Sequence, residues 1–173
     1  SVRCMNQLLQ ITRHDTVAKE IAIAVNKKHK GAARLEPVYH PDNDNNSRGD
    51  IRIRVDGKTR YFDVVVCHPF MGNSMGHAAG VAEKRKRREL DNKISDHVDF
   101  NKDLFFPLAF ESTGTLGPET REKGWKTIKE LLGSKDREYD DEYNEIRTRV
   151  VMSRISSLVW NDLASRYLRL LSC

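Results

Sequence analysis

The chain has 173 residues, of which 32% are charged and 8% aromatic, and its net charge is +5. That suits one domain with a real hydrophobic core, and no apolar run approaches membrane-spanning length. Three widely separated cysteines, Cys4, Cys67 and Cys173, argue against a disulfide framework and a self-contained zinc site, and for a reducing compartment.

Residues 12–28 read as a helix. Val17, Ala18, Ile21, Ala22, Ala24 and Val25 give it a broad apolar face, Thr12 or Asp15 caps its start, and Gly31 stops it. Lys27, Lys28 and Lys30 cluster at its end. Residues 34–39 read as a short strand broken by Pro37, and 40–47 as a loop of Pro, Asp and Asn. Ile51, Ile53 and Val55 then alternate with polar residues, which is strand periodicity, and Asp56-Gly57 signals a hairpin turn into the run around Phe62 and Val64. Residues 69–76 form a second loop. Residues 78–92 read as a helix that is small on one face and basic elsewhere, 104–110 as a buried strand, and 112–118 as a turn-rich loop. Residues 119–132 and 143–171 read as two further helices. The expected fold is therefore α/β: a mixed central sheet of about four strands flanked by helices, with a C-terminal helical extension. Residues 1–133 form the expected core. Residues 134–173 supply an acidic linker and a long helix packed on it.

Charge is segregated along the chain. Lys84-Arg85-Lys86-Arg87-Arg88 is an unbroken basic run, whereas residues 136–145 are strongly acidic. A basic face of this kind suits a polyanion; a solvated helix face is the plainer reading.

The hairpin carries the most informative pair. If Ile51 and Ile53 share a face with Phe62 and Val64, Asp50 and Asp63 must share the other. A two-residue turn sets them directly opposite and a four-residue turn sets them diagonally, about 5 to 8 Å apart in either case. Facing carboxylates resist joint ionisation unless a cation sits between them, and oxygen ligands suit Mg²⁺ or Mn²⁺. A phosphodiesterase built on such acids also benefits from a lysine. The slot two residues after Asp63 is Val65, so the strand cannot supply one. The next helix can: Ala79, Ala82, Glu83, Lys86 and Leu90 share one face, and the alanines allow close approach to the sheet. Lys84 lies about 160° away around that helix and suits a phosphate contact.

In combination these features resemble the restriction-enzyme-like endonuclease domain, of PD-(D/E)xK type, at the C-terminal end of one class of non-LTR retrotransposon proteins. The resemblance is carried by Arg48-Gly49-Asp50, Asp63-Val64-Val65-Val66, the helix with Glu83 and Lys86, Arg13-His14-Asp15, Leu35-Glu36-Pro37, and the run from Phe106 to Gly114. It covers roughly residues 11–118 in the right order. Gly49 stands where the family usually has proline, and the lysine is off its usual strand. Cys4 resembles the last ligand of a preceding zinc knuckle whose other ligands would lie upstream, so no bound zinc is expected.

The resemblance implies a nuclease that nicks target DNA to leave a 3′-hydroxyl, which primes reverse transcription of the element's RNA. It implies Asp50 and Asp63 as metal ligands, Mg²⁺ or Mn²⁺ as the cofactor, and Lys86, or else Lys84, as the displaced lysine. Glu36 or Glu20 would be a further acidic ligand, with Glu36 preferred. Arg48, Lys84, Arg85, Arg87, Arg88, Lys27, Lys28 and Lys30 would hold the nucleic-acid backbone. The expected partners are DNA and, through the parent polyprotein, element RNA, in the nucleus of a host eukaryotic cell and away from any membrane. A start at Ser1 fits a piece of a larger reverse transcriptase protein. The alternative is a non-catalytic nucleic-acid-binding or assembly domain on the same fold.

Histidines and aromatics carry plainer expectations. His14 reads as a capping or packing residue near a helix start, and Cys67 as a small buried hydrophobe. Trp125 and Trp160 read as core, and Tyr61 either packs in its strand or stacks on a base.

Overall fold

In the computed structural model, the described residues are 2–36, 49–67, 77–94, 104–111, 115–133, and 151, 153–155 and 157, with backbone alone for 2–13, 93 and 94. The elements are α1 (Val2–Lys28), β1 (Ala33–Leu35), β2 (Ile51–Val55), β3 (Lys58–Cys67), α2 (Ala78–Ile94), β4 (Phe105–Glu111) and α3 (Trp125–Leu132), the last entered through a π-helical turn at Thr120–Gly124. The four strands lie in the order β1-β2-β3-β4. The first three are mutually antiparallel, and β4 runs parallel to β3. This is the mixed α/β sheet expected from the sequence.

Strand periodicity divides the helices between the two faces. Ile51, Ile53, Phe62, Val64, Val66, Leu108 and Phe110 form one cluster with Val17, Ile21 and Val25 of α1 and with Trp125, Ile128, Leu131 and Leu132 of α3. Val151 and Ile155 of the C-terminal segment join that cluster, and Arg154 reaches Glu20 of α1 at 3.9 Å. The opposite face packs on α2, where Ala79 and Ala82 meet Ala109, Val65 and Cys67, and Leu90 meets Phe105 and Tyr61. The alanines allow the close approach anticipated for this helix. Trp125 is buried in the core, and Tyr61 is half-buried against Leu90 and Phe105; Trp160, the 143–150 and 158–171 parts of the expected last helix, the acidic linker and the 40–47, 69–76 and 112–114 loops lie outside the described residues.

The edge of β4 is covered by the chain that follows it. Glu111 donates its N–H to the Thr115 carbonyl, Gly117 donates to Ala109, and Phe110 bridges Leu116. The Thr120 hydroxyl accepts the Ala109 N–H at 2.7 Å and donates to the Pro107 carbonyl at 3.2 Å. Proline fits here because an edge strand spares one outward N–H. Glu83, buried on α2, accepts the backbone N–H groups of Glu119 and Thr120 at 3.1 and 2.6 Å. It satisfies amides at the start of the segment leading into α3.

Two boundaries differ from expectation. α1 extends back to Val2, so His14 lies within the helix rather than near its start. β1 ends at Leu35, because Glu36 adopts a left-handed backbone (φ +48°) that breaks the extended run.

Candidate metal and phosphodiester site

The hairpin turn determines where the acids sit. Asp56 and Gly57 both have positive φ, +51° and +74°, which is the backbone of a two-residue turn matched to strand twist. Val55 therefore pairs with Lys58 and Ile51 with Phe62. Continuing that register by one residue sets Asp50 against Asp63, on the face away from Phe62. Asp50 lies just beyond the end of β2, and its Oδ2 accepts the Val64 N–H at 2.5 Å. The carboxylate thus supplies an acceptor where the ladder stops.

Lys86 comes to this pair from α2. Its Nζ lies 3.2 Å from each oxygen of Asp63 and 3.8 Å from Glu89. Lys84 is exposed on another side of the helix, so helical phase separates the two lysines as the sequence suggested.

His14 approaches from α1. Its Nε2 lies 2.6 Å from Asp50 Oδ2 and its Nδ1 lies 2.9 Å from Asp15. One ligand-type atom from each of His14, Asp50 and Asp63 lies within 4.8 Å of the others. His14 is thus a site residue that the capping or packing reading missed. A histidine on a helical face carries no mark of a carboxylate brought to it by a distant hairpin.

The charges of the site are interdependent. Burial alone would lower the His14 pKa, but the hydrogen bond and charge of Asp50, reinforced by Asp15, lift it to about 9. Burial opposes ionisation of Asp50, yet the His14 hydrogen bond, a hydrogen bond from Asp63 and the Val64 N–H hold its carboxyl below the ordinary range. Asp63 is raised to about 7, first by burial, then by its hydrogen bond to Asp50 and the charge there, with Lys86 opposing. Below about pH 7 the two carboxyls share a proton, flanked by two cations. This is a compact negative centre held partly discharged.

The remaining predicted residues divide. Glu36 stands opposite Asp50 in register and donates its N–H to the Asp50 carbonyl at 2.9 Å. However, it is exposed and its carboxylate is not in the cluster, because the left-handed backbone takes it out of strand alternation. Glu20 is likewise outside the cluster and faces Arg154. In the basic run, Lys84, Arg85 and Arg88 are exposed, and Arg85 lies 3.5 Å from Glu89. Arg87 is instead committed to the structure: it pairs with Glu119 and stacks 5.4 Å from the Phe105 ring centroid. Its guanidinium is thus engaged within the fold. Lys27 and Lys28 close the last turn of α1, and Arg48 lies outside the described residues. Cys67 is half-buried rather than buried. Its thiol donates to the Phe110 carbonyl and is pushed up to about 11 by burial and then by Glu111.

No protein-family model and no curated protein matches the chain. Among the described residues, no helix is long and apolar enough to cross a membrane.

Proposed function

We propose that this chain is a Mg²⁺- or Mn²⁺-dependent DNA endonuclease domain of a retrotransposon protein. In this reading it nicks target DNA and leaves a 3′-hydroxyl for reverse transcription. The observation that carries the reading is the Asp50–Asp63 carboxylate pair, bracketed by Lys86 from one helix and His14 from another.

The donor chemistry fits a hard cation. Asp50 and Asp63 offer carboxylate oxygens, and a dication would take the place of their shared proton. When bound, such a cation supplies charge neutralisation at the scissile phosphate and lowers the pKa of an attacking water. His14, with its pKa lifted to about 9, is protonated at neutral pH and serves Asp50 as a donor, fixing Oδ2. Lys86 offsets negative charge developing on the phosphate. Lys84, Arg85 and Arg88 lie on the same helix as Lys86 and would hold flanking phosphates. The wider setting follows the same reading: DNA as substrate, element RNA reached through a parent reverse transcriptase protein, and action in the nucleus.

The test is cleavage of labelled linear and branched DNA with Mn²⁺ or with EDTA, wild type beside Asp63→Ala. Metal-dependent cutting that disappears in a folded mutant supports the reading. Cutting retained by the mutant overturns this site, and salt-dependent binding without cutting favours the non-catalytic alternative.

A further inference from the structure

Alternate residues of a strand share a face, so Arg52 and Arg54 of β2 lie on the sheet face that carries Asp50 and Asp63. The β1–β2 register sets Arg34 directly opposite Arg52. Like charges directly opposite one another on paired strands destabilise a sheet. Here a third guanidinium, Arg54, stands one pleat further along the same face. Lys30, from the connection after α1, joins them around an open concavity of about 410 Å³ whose lining contains one acid, Asp56. Among the described residues, none of Lys30, Arg34, Arg52 and Arg54 has an ion-pair partner. Elsewhere in the domain the half-buried cations Lys86 and Arg87 are matched by carboxylates. Among the described residues, four cations and a single acid line this concavity, which makes it a positive surface suited to a polyanion.

Geometry favours a phosphodiester chain as that polyanion. Arginine presents a planar fork that matches phosphate oxygens. Arg52 and Arg54 lie about 7 and 13 Å along the strand from Asp50. For a duplex whose axis runs along β2, at about 3.4 Å of rise per nucleotide in a strand, this is two to four nucleotides. We propose that Arg34, Arg52, Arg54 and Lys30 form a phosphate-binding site that seats the DNA backbone two to four nucleotides from the carboxylate pair. The site rests on the nuclease reading for its relation to a point of cleavage, but not for its affinity for DNA.

The experiment is fluorescence anisotropy of a labelled 30-base-pair duplex between 50 and 200 mM KCl, in EDTA so that nothing is cut. Wild type is compared with the double variant Arg52→Gln/Arg54→Gln. The expected result is at least a tenfold loss of affinity and a slope of log K against log salt shallower by about two, close to one per lost contact. Unchanged affinity and slope in a folded variant overturn the site. Should the double variant not fold, Arg34→Gln, exposed on the outer strand, provides the same comparison with a slope change of about one. Competition with inorganic pyrophosphate separates the sources of phosphate. If pyrophosphate binding depends on the arginines while DNA binding does not, the DNA assignment is overturned. Cutting by the wild type is assayed separately with Mn²⁺. An arginine-dependent slope in a chain that never cuts upholds this site while the nuclease reading fails.

Discussion

Lys86 Nζ lies equidistant from the two oxygens of Asp63, 3.2 Å from each, although they belong to different elements. Asp63 is in turn hydrogen-bonded to Asp50, so one ammonium faces a pair of carboxyls rather than a single acid. If that ammonium neutralises charge on a reacting phosphate, Lys86→Ala lowers the single-turnover cleavage rate about 100-fold or more. Lys84→Ala instead raises the DNA concentration needed without lowering the rate at saturation. Rates measured at saturating DNA distinguish the two lysines, and equal losses in both variants would contradict the assignment.

The shared proton has a measurable counterpart. A dication entering between Asp50 and Asp63 displaces it, so Mn²⁺ binding releases about half a proton per cation at pH 7 and close to one at pH 6. Titration calorimetry in two buffers of different ionisation enthalpy reads that number directly. Asp63→Asn removes the proton release together with most of the affinity.

His14 gives the apo domain a pH dependence of known sign. Its pKa in the fold, about 9, exceeds the ordinary 6.5, so its contribution to stability is complete below pH 6.5 and lost as pH rises to 9. Asp63 also has a raised pKa, but its contribution disappears earlier, between about pH 4 and 7. The change in urea unfolding in EDTA between pH 7 and 9 therefore comes mainly from His14. The expected loss is on the order of 2 kcal/mol, and His14→Gln flattens the profile.

Some of this was legible in the sequence. Alternation of Ile51 and Ile53 with arginines, together with Asp56-Gly57, places the two acids on one face, because strand parity is a local property. Helical phase likewise separated Lys86 from Lys84. What could not be read was the outcome of contacts between distant segments. The left-handed backbone at Glu36 has no signature in Leu35-Glu36-Pro37. The pairing of Arg87 with Glu119 joins α2 to the approach to α3, and nothing in an unbroken basic run says which member a distant carboxylate will take. The backward extension of α1 lay beyond the apolar stripe used to find the helix, which left His14 at an apparent boundary.

Glu83 supplies a further prediction about packing. Its buried carboxylate accepts two backbone N–H groups at the start of the π-helical segment. Glu83→Gln turns one acceptor into a donor facing those N–H groups and costs about 1 to 3 kcal/mol. Thermal denaturation reads the cost. Because Glu83 and Lys86 lie about one turn apart on α2, the variant also weakens cleavage, while Mn²⁺ affinity at the hairpin is largely kept.

The turn at Asp56 and Gly57 acts as a gauge for the whole site. One inserted residue there would carry Asp63 into the apolar layer and turn Phe62 outward, so function and folding would fail in a single step. The letters of the turn can change, but its length alone keeps Asp50 opposite Asp63.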